Sequence, residues 1–419
     1  MPKRIQQDRT ALFLLFLGLA GVALFIPWRA HYTNICIVVS GSLWLLFIKQ
    51  NRRYFSRPVI LFILLLISVY LVELIGITYT ENLDYGFHRL ESKLAMVIMP
   101  VVILASGIDR RHIERLLAVF VLSTLIACLY CTAVAVFDII EKEKPLTAFF
   151  LEGRYANVAL TEPLRKMHPT FLTLFICLSI FSIVVYMRQL KGHYWMSIII
   201  LFLLIFSFQL ASRAGYVALL CTMFLIGFSL IGLNRRLWLW VYSIVIVATF
   251  ILSISFIPQL RQRLVDAVLE ADITTEQVNS VSYHLKSWTC SVESWLDGHI
   301  LFGYGTGDEV DTISKCYEEK NWVGHRHDAH NEFLSSLVKH GLFGFFVLCV
   351  MFFYPFYLSL KYRELRYFTF LTIIFVCFLS ESMLRGQSGL LFFTFFNALF
   401  MKDMLLRINK IPETLSIQP

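Results

Sequence analysis

Residues 324–358 read GHRHDAHNEFLSSLVKHGLFGFFVLCVMFFYPFYL, a histidine-rich polar start followed by a run, Gly341 to Leu358, that contains no charged residue. Such a run suits a bilayer, whose hydrocarbon core takes ~20 apolar residues to cross as a helix. Runs of the same kind recur from end to end. Hydrophobic residues make up 58% of the 419, with 38 phenylalanines and only 16% charged residues, more than a soluble core needs. The runs are continuously apolar and do not alternate, which argues against a β-barrel. The sequence therefore predicts an all-α polytopic membrane protein of about twelve transmembrane helices. The predicted spans are 11–28, 33–48, 58–78, 94–108, 114–137, 168–187, 193–210, 214–233, 236–256, 341–358, 367–384 and 386–404. The fourth is short and carries Pro100.

Basic residues in the connections set the orientation. With an inner N-terminus, the inner segments hold Lys3, Arg4 and Arg9, then Lys49, Arg52, Arg53 and Arg57, then Arg110, Arg111 and Arg115, then Arg188 and Lys191, Arg235 and Arg236, Lys361, Arg363 and Arg366, and Lys402, Arg407 and Lys410 near the end. The short outer connections hold only Arg29, Arg89, Lys93, Arg213 and Arg385. Both termini are expected inside. The net charge of +8 is accounted for by anionic lipid headgroups beside the inner loops, so no nucleic acid is implied. The first span lacks a small-residue cleavage site and is expected to be retained.

The expected organisation follows. Residues 1–137 hold five spans, 138–167 a first outer loop, and 168–256 spans six to nine. Residues 257–340 form a large outer loop ending in an amphipathic helix, and 341–419 the last three spans with an inner tail. In the large loop, 261–274 and 281–296 have helical spacing, the latter with Trp288 and Trp295. Between the loop's helices lies FGYGTGDEV, residues 302–310. No βαβ unit surrounds its glycines, so a dinucleotide loop is rejected. A plain turn is the simpler reading, and amides facing an anion the other.

Cys290 and Cys316 share the large loop and are candidates for a disulfide on an oxidising face, although spacing alone does not bring their Cα atoms into range. The remaining cysteines read as apolar packing residues. In 332–340, Phe333, Leu334, Leu337 and Val338 oppose Glu332, Ser335, Ser336 and Lys339. That pattern predicts an amphipathic helix near the membrane interface, with Gly341 and Gly344 marking the change into the span.

Polar chemistry at the mouth of a membrane helix is costly to keep unless it acts on something, so His330 and Asn331 mark the candidate site. His325, His327, His330 and Asp328 lack the spacing of a zinc set; neither metal nor cofactor is expected. Charged residues at the last connection, Glu381 and Arg385, read first as a structural ion pair.

With these residues in place, AHNEFLSSLVKHGLFG after GYGTGD resembles the O-antigen ligase and O-antigen polymerase superfamily of the bacterial envelope. SRAG at 212–215, HPT at 168–170 and ESMLRGQSG at 381–389 extend the resemblance over roughly 150–405. The resemblance implies a GT-C-like fold in the bacterial inner membrane, with both termini cytoplasmic and a periplasmic site. It implies an inverting, metal-independent glycosyltransferase of lipopolysaccharide biosynthesis. The donor would be a glycan on undecaprenyl pyrophosphate and the acceptor lipid A core, with O-antigen ligase favoured. A polymerase or a protein O-oligosaccharyltransferase would use the same donor.

The same resemblance assigns roles. His330 becomes the base for the acceptor hydroxyl, Asn331 its orienter or a helix cap, and Arg213 a bidentate clamp on pyrophosphate. Many relatives carry an arginine four residues before the loop tryptophan, where this chain has His284. The second positive charge is then expected from Lys286, Arg326 or a protonated His284. Arg154, Arg165, Lys166 and His168, with Arg385, are further candidates for donor or acceptor phosphates. A polysaccharide or lipid transporter is the reading from another class, set against by the few charges at mid-span.

Overall fold

The computed structural model describes residues 2–165, 167–189, 195–231, 236–256, 261, 280–322 and 328–408. The chain is helical, with no strand among the described residues. The first helices are α1 (Pro2–Phe25), α2 (Ala30–Leu46), α3 (Ile48–Asn51), α4 (Arg57–Gly76), α5 (Leu83–Ser92) and α6 (Ala95–Leu104). Then come α7 (Arg110–Glu141), the short α8 (Ala148–Leu151) and α9 (Asn157–Leu160), α10 (Pro169–Gln189), α11 (Met196–Gln209), α12 (Arg213–Ile231) and α13 (Arg236–Phe256). The last are α14 (Ser280–Leu296), α15 (Glu309–Glu319), α16 (Glu332–Lys361), α17 (Leu365–Ser380) and α18 (Gln387–Arg407).

Each predicted span coincides with a helix. Among the described residues, seven helices, α1, α4, α7, α10, α12, α16 and α18, are long and apolar enough to cross a membrane. The pair α2 and 48–54, bent by 76°, makes an eighth where the two pieces form one broken span. The helices α11 and α17 and the apolar part of α13 are shorter, and α6 has only 10 residues with Pro100 inside it. Length and composition therefore establish a polytopic helical protein without fixing the count at twelve.

The phenylalanine-rich α18 is the pillar of the bundle. Phe392 and Phe396 meet Phe120 of α7, and Phe392 also meets Phe175 of α10 and Phe370 of α17. All of α18 from Gly389 to Leu406 is buried. Outward-facing residues such as Leu46, Phe137 and Trp240 are apolar and exposed, as expected of side chains that meet lipid. Lys402, read from sequence as an inner-loop charge, is instead buried in α18. Its Nζ donates to Leu104 O and Ser106 O, each at 3.0 Å, where α6 ends and leaves carbonyls without helical partners.

α16 joins site to membrane. Its backbone breaks at Gly341 (φ 59°, ψ −157°), where the sequence predicted the change into the span. The half-helix 332–340 does not lie on an interface with its polar side outward. Glu332, Ser335, Ser336, Lys339 and His340 are buried, whereas Phe333, Leu334 and Leu337 are only half-buried. The reason is a charged partner on another helix: Lys339 Nζ lies 3.1 Å from Glu73 Oε1 of α4, and Lys93 bonds the same oxygen. Buried charges persist when paired, so the polar face turns inward.

The glycine-rich loop clasps this half-helix. Tyr304 N donates to Val338 O (2.9 Å), Gly305 N to Lys339 O (2.8 Å) and Leu342 N to Ile300 O (2.8 Å). These bonds replace helical ones lost at the Gly341 break. Asp308 anchors the other side, accepting from Thr80 Oγ1 (2.6 Å), Glu81 N (2.9 Å) and Asn82 N (2.8 Å). Gly305 N and Gly307 N are spent on Lys339 O and on Thr80 Oγ1, so the loop is a structural turn and does not offer these amides to an anion.

Candidate active site

The site grows from the turn before α16. Asn331 caps the helix: its Oδ1 accepts from Phe333 N (3.0 Å) and Leu334 N (3.1 Å), and its Nδ2 donates to Leu379 O (3.1 Å). Asn331 is thereby committed to holding α16 against α17. The residue before it, His330, sits in the left-handed region (φ 43°), a strained conformation for a non-glycine residue.

The ring of His330 stands between two carboxylates. Nε2 lies 3.0 Å from Asp328 Oδ1 and Nδ1 3.3 Å from Glu381 Oε2. Arg385 backs this pair, its Nη1 2.8 Å from Asp328 Oδ2. His168 Nε2 approaches Glu381 Oε1 from the other side at 3.9 Å. The expected Glu381–Arg385 pair is therefore replaced by two others, Arg385 with Asp328 and Glu381 with His330. The polar start of α16 inserts Asp328 and His330 between them.

Electrostatics follow from these contacts. Burial favours a neutral His330, but hydrogen bonds to Asp328 and Glu381, with their charges, outweigh it and push the ring up to about 10. Burial likewise opposes ionisation of Asp328, yet His330 and Arg385 hold its carboxyl well below the usual range. Glu381 is lowered against burial by its bond to His330 and by the charge of His168. His284 moves the other way. Burial first, then the charges of His330 and Arg213, push it below its ordinary value, so at neutral pH it is uncharged.

These residues surround one cavity of about 610 Å³, lined by Asn157, His168, Thr170, Ser212, Arg213, Tyr283, His284, Trp288, His330 and Glu381. Arg213 opens α12, and Ser212 fixes that start: its hydroxyl accepts from Gly215 N (3.1 Å) and bonds Thr170 Oγ1 (2.8 Å) at the start of α10. Residues at the starts of α10 and α12, and His330 just ahead of α16, all line this space. Helix N-termini present free N–H groups and partial positive charge, which favours an anion. With Arg213 and a charged His330, the cavity is suited to a phosphate group.

Of the residues singled out in the sequence, His330, Arg213, His284 and His168 line this cavity, while Asn331 and Arg385 support it from behind. Lys286 does not line it; it is buried with its ammonium 5.2 Å from the Trp322 ring centre. Arg154 pairs with Asp138 (3.5 Å) beside a separate cavity, and Arg165 is exposed in neither lining. Lys166, His325, Arg326 and His327, and the helix expected at 261–274 apart from Arg261, lie outside the described residues. Sequence reasoning missed Tyr283, whose ring centre is 5.1 Å from that of His330, and missed Asp328 as a carboxylate partner. The acid two residues before the histidine was the available signal.

Cys290 and Cys316 are bonded, joining α14 to α15 with Cα atoms 5.7 Å apart. Residues 198–349 match the O-antigen ligase family model. The O-antigen ligase stretch contains Arg213, His284, the disulfide, the glycine clasp, His330 and the Gly341 break, and ends before Glu381. That match supports a ligase or polymerase type of glycosyl transfer in a membrane protein, without separating the two. No curated protein matches the chain.

Proposed function

We propose that the chain transfers a glycan from undecaprenyl pyrophosphate to lipid A core, as an inverting O-antigen ligase on the periplasmic face of the inner membrane. The observation that carries this reading is the convergence of Arg213, charged His330 and the starts of α10 and α12 on one cavity in and beside the O-antigen ligase stretch. Departure of a lipid pyrophosphate needs its developing negative charge stabilised by donors already in place, and this cavity supplies them. Arg213 offers a planar fork that phosphate oxygens can bind bidentately, and it stays charged at any working pH. The lipid tail would lie along the bundle with the sugar beneath α14.

The test is reconstitution of the purified chain with an undecaprenyl-pyrophosphate glycan, with or without lipid A core, resolving products by gel. A glycan-capped lipid A band that depends on the core acceptor is expected. A ladder of lengthening lipid-linked glycan without the core would make the chain a polymerase. No transfer under either condition would overturn both.

A further inference from the structure

We propose that His284, and not His330, takes the proton of the acceptor hydroxyl, and that His330 remains a fixed cation beside the departing pyrophosphate. The assignment rests on the glycosyl-transfer reading above. A base must offer a lone pair, and both ring nitrogens of His330 are engaged by carboxylates, at 3.0 Å and 3.3 Å. A ring placed between two anions carries a proton on each nitrogen. To act as a base, it would first have to lose a proton from between Asp328 and Glu381.

His284 is placed differently. It lines the same cavity, its ring centre 5.1 Å from that of His330 and one turn of α14 before Trp288. Among the described residues, its buried Nδ1 has no hydrogen-bond partner. Buried polar atoms of folded proteins are seldom left unpaired, and an exception in a reactive cavity calls for a functional account. With that nitrogen unpaired, the ring is not locked in one tautomer. The charged groups facing it are Arg213 of α12, His330 ahead of α16, and the carboxylates of Asp328 and Glu381, with Tyr283 beside it on α14. The two cations and the burial hold the imidazole neutral, the state in which it can accept a proton.

The step balances. The acceptor oxygen forms a bond to the anomeric carbon opposite the pyrophosphate, while the carbon–oxygen bond to pyrophosphate breaks and its electron pair leaves with that oxygen. The hydroxyl proton moves to His284, which becomes imidazolium and later loses it to water. The new negative charge rests against Arg213 and His330.

The deciding variant is His284→Arg in the full reconstituted chain, which puts a fixed cation at this position while removing the base. Single-turnover transfer is expected to fall roughly 10²- to 10⁴-fold, the range of general-base catalysis, with retention of labelled lipid-pyrophosphate donor unchanged. For His284→Gln, the acid limb of the wild-type rate profile, lying below the ordinary histidine range, is expected to disappear. Should His284→Arg transfer within tenfold of wild type, or the acid limb survive in His284→Gln, the base lies elsewhere and the assignment is overturned. If His284→Arg fails to fold, as judged by monodispersity in detergent, the His284→Gln profile decides. A wild-type chain that transfers to no acceptor would instead remove the glycosyl-transfer reading, and this assignment with it.

Discussion

Lys339 Nζ lies 3.1 Å from Glu73 Oε1, tying the polar half of α16 to the last turn of α4, and Lys93 shares that oxygen from the turn between α5 and α6. All three side chains are buried. Glu73→Gln would leave two buried ammonium groups without this carboxylate, and removing one member of a buried ion pair costs roughly 3–5 kcal/mol. The expected result is a marked drop in thermal stability in detergent. A melting temperature equal to wild type would show that other groups compensate both lysines.

Two glycines between α14 and α15 separate strain from collision. Gly303 has φ +66°, and a Cβ there would lie 2.5 Å from backbone atoms of Val338, Lys339 and His340. Gly298 has φ +97° with nothing within 4 Å. Gly298→Ala is expected to cost only the conformational strain, about 1–2 kcal/mol. Gly303→Ala must also push the clasp off α16, so loss of folded protein is expected. Comparable yields of the two variants would mean the clasp is dispensable.

The contrast between spans and site explains what the sequence made legible. A span such as 341–358 is a continuous local signal, because every residue answers to the same lipid solvent. His330, Asn331 and Arg213 were readable because each stands beside a helix start with residue types that suit it. The burial of the polar face of 332–340 was not legible, because local periodicity records amphipathicity without saying what covers the polar side. Its partner, Glu73, lies 266 residues away. The same distance problem hid the exchange of partners at Arg385, since Asp328 reaches it only through the fold.

Arg213 tests the clamp. Replacing one preorganised donor at a developing charge typically costs ~10²- to 10³-fold in rate, and Arg213→Ala is expected to lose at least that much transfer while inserting normally. Lysine keeps the charge but not the fork, so Arg213→Lys should recover only part of the rate. Full activity in Arg213→Ala would take the residue out of the reaction.

The Cys290–Cys316 bond spans 26 residues and, with Ile313, Tyr317 and Ala329, packs a small core directly behind His330. Closing a loop of that length stabilises the folded chain by roughly 3–4 kcal/mol in the chain-entropy account. Reductant, or paired Cys290→Ala and Cys316→Ala, is therefore expected to lower the melting temperature and weaken transfer together. The bond itself is read by mobility on a non-reducing gel. Free thiols at both positions in protein prepared without reductant would contradict the pairing, and with it an oxidising outer face.

His330 also predicts how stability depends on pH. Its folded value, pushed up to about 10, exceeds the ~6.5 of an unfolded histidine, so folding favours its protonated form. That contribution is complete below about 6.5 and is lost as pH rises through about 10. Asp328, held below its ordinary range, contributes in the opposite sense: its share is present above ~3.9 and fades only in acid. Between neutral pH and 10 the wild-type melting temperature should therefore fall more steeply than that of His330→Gln. Asp328→Asn removes one of the two anions and should shift the alkaline loss to lower pH, while also leaving Arg385 without its carboxylate. Parallel melting curves for wild type and His330→Gln across that range would show that His330 is not held as a cation.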